Sequence, residues 1–221
     1  MKYLLASASP RRRKLLRLAL DAPFEVQASD ADEHEEISDP ALLVQVLARK
    51  KAEAVAKGKK GYLVIGADTV VAFEGKILGK PQSRQHARQM LQMLSGRSHT
   101  VYTGIALLST DTGRVLLEAD RTLVTFAPMS PEEIEAYLET GEGEERAEYP
   151  AEYRKEMVEK GWMEEPGKWK TGNGGRPECM DKAGAYGIQG GAARHIRGLE
   201  GCYFNVMGLP VHRIYELLKR L

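Results

Sequence analysis

The chain has 221 residues, 43% of them hydrophobic and 29% charged, with a formal net charge of +1. That composition suits one ordinary folded domain, and it leaves no basic surplus for a dedicated nucleic-acid-binding surface. No apolar run approaches the roughly 20 residues that cross a bilayer, and the short apolar start, broken at once by arginines, does not read as a signal peptide. The two cysteines, Cys179 and Cys202, have neither metal nor disulfide spacing, so free thiols in a cytoplasmic protein are expected.

Residues 2–6 read as a strand and residues 10–20 as a helix with Leu15, Leu16, Leu18 and Leu20 on its apolar side. Ser9 suits the N-cap, and Pro10 suits the first helical position, where a missing N–H costs nothing. Arg11, Arg12, Arg13 and Lys14 follow directly. Free backbone N–H groups, the positive end of the helix dipole and guanidinium groups therefore meet within one turn, which makes an anion site with phosphate as its natural anion. The competing reading is a solvated basic face or a nucleic-acid patch, because cations oppose the dipole at this end.

Residues 24–28 are a second short strand, followed by the acidic loop Asp30-Ala31-Asp32-Glu33-His34-Glu35-Glu36. Asp39-Pro40 opens a helix to about residue 57, ended by Gly58 and Gly61. Residues 62–67 are the most strand-like run, leading through Asp68 and Thr69 into residues 70–73 and the turn Glu74-Gly75. Residues 83–94 form an amphipathic helix stopped by Ser95-Gly96. Residues 100–108 and 114–126 are long strands around the turn Thr110-Asp111-Thr112-Gly113. Ser130-Pro131-Glu132-Glu133 starts a helix that ends near Thr140-Gly141, and residues 209–221, begun by Pro210, close the chain. Residues 142–177 are rich in charge, glycine and aromatics and poor in aliphatics, so an insertion at about 143–177 is expected, helical over roughly 151–160. Early alternation of strand and helix followed by a hairpin-like pair predicts an α/β fold with a mixed sheet.

Four groups at predicted element ends carry chemistry. They are the anion turn at residues 7–13, Glu33 in the acidic loop, Gly66-Ala67-Asp68-Thr69, and the cations Lys51 and Lys80. Carboxylates and cations around a phosphate turn suit metal-assisted phosphoryl or nucleotidyl transfer, since Mg²⁺ or Mn²⁺ takes carboxylate and phosphate oxygens together. Each group also has a plain reading: a turn cap for Asp68, a solvated face for Lys51, an exposed charge run for Glu33. No Walker A loop, Gly-x-Gly-x-x-Gly or Gly-x-Ser-x-Gly pattern is present, which removes the main support for P-loop kinases, dinucleotide dehydrogenases and serine hydrolases.

The ordered motifs resemble the Maf family of nucleoside triphosphate pyrophosphatases. They are Leu5-Ala6-Ser7-Ala8-Ser9-Pro10-Arg11-Arg12, residues 48–52, Gly66-Ala67-Asp68-Thr69-Val70-Val71, Gly79-Lys80-Pro81, Leu94-Ser95-Gly96, Asp181-Lys182-Ala183-Gly184-Ala185-Tyr186-Gly187-Ile188-Gln189-Gly190 and residues 201–210. The resemblance implies a Maf/ITPase-like α/β fold, an elongated mixed sheet flanked by helices with two lobes around a cleft, commonly as a homodimer. It implies hydrolysis of dTTP and UTP to the monophosphate and pyrophosphate with Mg²⁺ or Mn²⁺. It makes Asp68 the proton acceptor, with Lys51 and Lys80 beside it, and puts Ser7, Ser9, Arg11 and Arg12 on the phosphates. Glu33 and Asp68 would hold metal, and Arg12, Thr69 and Gln189 would set base specificity. The alternatives are the same chemistry on 7-methyl-GTP or another non-standard nucleotide, or a nucleotide-binding regulator of septum formation.

Overall fold

The computed structural model describes residues 1–139 and 178–221. The insertion expected at 143–177, with its helix at 151–160, lies outside those residues. In chain order the elements are β1 (Lys2–Leu5), α1 (Pro10–Ala19), β2 (Phe24–Val26), α2 (Pro40–Ala56), β3 (Tyr62–Phe73), β4 (Lys76–Leu78), α3 (Arg84–Leu94), β5 (Ser98–Ser109), β6 (Val115–Phe126), α4 (Pro131–Glu139), β7 (Ile196–Glu200), α5 (Tyr203–Val206) and α6 (Val211–Leu218). Short 3-10 turns fill Glu178–Asp181, Ala183–Ala185 and Gly191–His195.

Among the described residues seven strands form one mixed sheet in the order β2-β1-β3-β5-β6-β7, with β4 paired to β3 outside that path. β1 lies parallel to both β2 and β3, and every other pairing is antiparallel. Successive strand residues point to opposite faces. Leu4 and Val64 accordingly pack with Ala48, Ala52 and Val55 of α2. Leu5 and Ile65 pack on the other face with Leu15 and Leu16 of α1 and Ile214 and Leu217 of α6. A third cluster joins Phe73, Val101 and Phe126 to α3, α4 and the turn at Ala185 and Tyr186.

This layout creates a topological switch. The chain leaves β1 through α1 to reach β2 on one side, and returns through α2 to reach β3 on the other. Right-handed crossovers in opposite directions put the two helices on opposite faces, leaving a crevice at the carboxyl end of β1.

The sheet is also open there. β1 ends at Leu5 opposite Ile65, whereas β4 takes up the same edge of β3 only from Val71. β5 covers the far edge from Leu63 to Ala72. Residues 66–70 of β3 thus form a window between β1 and β4. The sequence reading ended the strand before Asp68; instead Asp68 and Thr69 lie in mid-strand, because pairing with β5 carries β3 straight through. It is the neighbouring strand that stops.

Three elements escaped the sequence reading. β4 is three residues long after a turn in which Glu74 and Gly75 both have positive φ, the two-residue hairpin geometry. β7 is an exposed edge strand with no apolar alternation, and α5 is one turn between Gly201 and Gly208. The closing helix is shorter than expected, running Val211–Leu218 with Pro210 as its N-cap.

Candidate active site

Small residues set how closely α2 lies on the sheet. A Cβ on Gly66 would stand 2.1 Å from the Ala48 carbonyl oxygen, and one on Gly104 would stand 2.2 Å from that of Val44. Helix backbone therefore rests directly on strand backbone. Lys51 lies one turn beyond Ala48 on the same helical face, and Asp68 lies two residues beyond Gly66 on the same sheet face. The result is a buried pair, with Lys51 8% and Asp68 7% exposed. Lys51 Nζ sits 2.5 Å from Asp68 Oδ1 and 3.0 Å from Glu33 Oε1, so one ammonium bridges both carboxylates. Burial works to raise the Glu33 pKa, but the charge and hydrogen bond of Lys51, with the charges of Lys80 and Arg12, together pull it below its ordinary value. Lys50 ties down the same acidic loop, 2.5 Å from Glu35 Oε1 and 3.3 Å from the Asp32 carbonyl oxygen.

The arginine elbow closes the crevice from the other face. Ser9 caps α1, its Oγ accepting from the Arg12 N–H at 3.4 Å, and Ser7 Oγ accepts from the Ser9 N–H at 3.2 Å. Arg12 Nη2 donates to Thr69 Oγ1 at 3.0 Å and its Nε donates to the Gly208 carbonyl at 2.8 Å. Burial lowers the Arg12 pKa, an effect opposed by the charge of Asp68, reinforced by Arg11 and opposed again by Glu33. Those mutual fields come from groups converging on one space.

The remaining expected residues lie at the rim. Arg11 Nη2 is 3.9 Å from Asp181 Oδ1. Lys80 is exposed on the loop after β4, where the Gly79 carbonyl accepts from the Gly184 N–H at 3.1 Å. That bond brings the segment carrying Gln189 to the same side, although Gln189 itself stands on an exposed turn. The segment is anchored below by Tyr186, whose hydroxyl is 2.7 Å from His99 Nε2, and by Tyr137, whose hydroxyl accepts from the Gly187 N–H at 3.1 Å.

Sequence reasoning missed Thr103, Asn205 and Gly208. Thr103 Oγ1 lies 2.9 Å from Thr69 Oγ1 and donates to the Asn205 carbonyl at 2.8 Å. No signal in the sequence marked them, since each is a single small or polar residue whose partners lie far away in the chain.

No group of three histidine, cysteine, aspartate or glutamate side chains converges among the described residues. The carboxylates at this place are two, Glu33 and Asp68, both within reach of Lys51 Nζ. Two carboxylates would suit a hard divalent cation, for which phosphate oxygens and water could complete the ligand set.

The Maf-like protein family matches residues 2–150 and 170–221. The dTTP/UTP pyrophosphatase of Moorella thermoacetica is 45% identical over 98% of this chain and 93% of its own. That of Symbiobacterium thermophilum is 43% identical over 98% and 92%, and that of Bacillus cytotoxicus 39% over 99% and 95%. Among solved structures, the Staphylococcus aureus Ham1 protein aligns with a TM-score of 0.43 and 15% identity, covering 57% of this chain and 72% of that one.

Proposed function

The chain belongs to the Maf family, and on that premise we propose that it is a nucleoside triphosphate pyrophosphatase acting on dTTP and UTP, which it hydrolyses to the monophosphate and pyrophosphate. The carrying observation is the buried Lys51 ammonium shared by Asp68 and Glu33, inside a window in the sheet that the Arg12 elbow faces. A carboxylate paired with a fixed cation, beside a phosphate-binding turn, is the arrangement that water attack on a phosphoanhydride requires.

In this reading the triphosphate lies along the N-terminus of α1, its oxygens taken by the backbone N–H groups and hydroxyls of Ser7 and Ser9 and by Arg11, Arg12 and Lys80. Asp68 accepts the proton of a water aimed at the α-phosphorus. Lys51 favours the charged form of Glu33 and offsets its repulsion with Asp68. Glu33 and Asp68 would hold Mg²⁺ or Mn²⁺, which when bound neutralises charge on the leaving pyrophosphate. Gln189 meets the base, since a carboxamide can pair with both donor and acceptor positions of a pyrimidine ring. The gap in the family match at 151–169 supports treating 143–177 as an insertion in a single domain. A cytoplasmic homodimer rests on the family resemblance, and sedimentation velocity tests the association.

The decisive experiment is pyrophosphate release from a panel of triphosphates with Mg²⁺ and with Mn²⁺. Preference for dTTP and UTP is expected. Preference for 7-methyl-GTP would move the base assignment, and binding of dTTP without pyrophosphate release would favour a regulatory role.

A further inference from the structure

Gln189 stands on an exposed turn, but the backbone leading to it is tightly held. Ala185 is fully buried with a φ of 61°, a left-handed value that strains any residue with a Cβ and persists only where the surroundings impose it. Gly184, at a φ of 70°, lies against β3, where a Cβ would stand 2.9 Å from Val71 Cγ2, and its N–H donates to the Gly79 carbonyl at 3.1 Å. A Cβ on Gly187 would stand 2.8 Å from Lys182 Cε, so the buried stem of Lys182 fills the space against the turn.

Two tyrosine hydroxyls fix the stretch between. Tyr186 reaches His99 Nε2 of β5 at 2.7 Å, and its ring stands edge-on to His99 and Phe126, with centroids 5.3 and 4.8 Å away. The Gly187 N–H donates to the Tyr137 hydroxyl of α4 at 3.1 Å. Burial first, and Tyr137 second, raise the Tyr186 pKa, so its hydroxyl keeps its proton. His99, Tyr137 and Tyr186 are 2%, 2% and 5% exposed, and they act on a ligand only through the turn. His99 Nδ1 has no hydrogen-bond partner among the described residues, which costs stability. Phenylalanine at both 99 and 186 would still pack on Phe126 and would leave no polar atom unpaired there. Packing alone therefore does not call for an imidazole and a phenol; what they add is a directional tie.

We propose that His99, Tyr186 and Tyr137 are positioning residues for base selection. They fix the backbone at 185–188, so that the Gln189 carboxamide meets the donor and acceptor edge of a pyrimidine within the narrow distances a hydrogen bond allows. This role rests on the reading of Gln189 as the base contact. The phosphates are held elsewhere, at the α1 elbow, so loosening the turn costs affinity for the preferred base and none for the polyphosphate.

The test reads binding with probes that cannot be cut at the α–β linkage: the α,β-methylene analogues of dTTP and dATP, and inorganic tripolyphosphate as a base-free control. Each is titrated against the full chain and its Tyr137→Phe, His99→Phe/Tyr186→Phe and Gln189→Ala variants, beside thermal melts. The first two variants should weaken the dTTP analogue by about 3- to 10-fold, as the loss of one well-placed hydrogen bond implies. The dATP analogue and tripolyphosphate should bind as before. The His99→Phe/Tyr186→Phe variant should melt no lower than wild type, so that selectivity falls while stability does not. Adding Gln189→Ala to it should cost no more than Gln189→Ala alone, since the tie acts through that side chain. Equal weakening of all three probes, an unchanged dTTP analogue, or additive losses would overturn the proposal. If the double change does not fold, Tyr137→Phe, which removes one oxygen, carries the comparison. Gln189→Ala without effect on the dTTP analogue would refute the base assignment and the positioning role with it, whereas a loss there and none in the tie variants would refute the positioning role alone. Absence of pyrophosphate release from dTTP would sink the proposed activity and leave these affinities to decide the tie.

Discussion

Replacing Gly66 by alanine isolates the link between packing and catalysis. The new Cβ would stand 2.1 Å from the Ala48 carbonyl oxygen, whereas ordinary contact begins at 3.4 Å, so α2 must move away by about 1.3 Å. Backbone meets backbone there, and no flexible side chain can absorb the change. Overpacking of this kind costs about 1–3 kcal/mol. In a domain of this size that lowers Tm by roughly 2–12 °C. The functional effect should be larger than the stability effect, because Lys51 rides on the displaced turn and its bonds to Asp68 and Glu33 span only 2.5 and 3.0 Å. A misplacement of about 1 Å in a catalytic constellation can cost about 10²-fold. The assay is kcat/KM for dTTP beside a thermal melt, with Gly198→Ala as control, since nothing lies within 4 Å of a Cβ there. A Gly66→Ala enzyme with wild-type kcat/KM and Tm would refute the claim that helix approach sets the site.

Asp68→Asn should lower kcat by about 10²- to 10⁴-fold, the usual worth of a general base, with the circular dichroism spectrum unchanged; full turnover would remove Asp68 from that role. Ser9→Ala should cost about 0.5–1 kcal/mol as a lost helix cap and Ser9→Gly only a few tenths, whereas both should raise KM for dTTP alike if the hydroxyl also meets phosphate; KM tracking stability would assign Ser9 to the fold alone. His99, buried against Phe126 and Tyr186, has its pKa lowered by burial to about 4 from 6.5. Below pH 6.5 the unfolded chain takes a proton that the folded one refuses, so stability present above that pH is lost as pH falls toward 4, by up to about 3 kcal/mol. Melts of wild type and His99→Gln across that window should differ in slope, and parallel slopes would show that His99 does not titrate as described.

What the sequence disclosed and what it hid divide along a physical line. The elbow was legible because capping, proline placement and charge all act within one turn, so Ser9, Pro10 and Arg12 state their roles locally. Lys51, Asp68 and Glu33 were legible as charged residues at or near the ends of expected elements, but not as one bridged group. Their meeting depends on Gly66 and Gly104 admitting α2, residues far apart in the chain whose contribution is the absence of a side chain. Thr103 and Asn205 were illegible for a related reason, since a threonine in a strand is ordinary until its cross-strand partner is known, and Thr69 opposes Thr103 only once the register of β3 and β5 is fixed. The misplaced end of β3 teaches the most. A ligand site at the edge of a sheet needs an exposed stretch of strand, and that stretch is made by stopping β1 at Leu5 and delaying β4 to Val71 rather than by ending β3. Asp68 and Thr69 can then send adjacent side chains to opposite faces of one rigid strand, the first toward Lys51 and the second toward Arg12. A loop at that position could supply both groups, but it would not hold them at the fixed separation that the proposed chemistry needs.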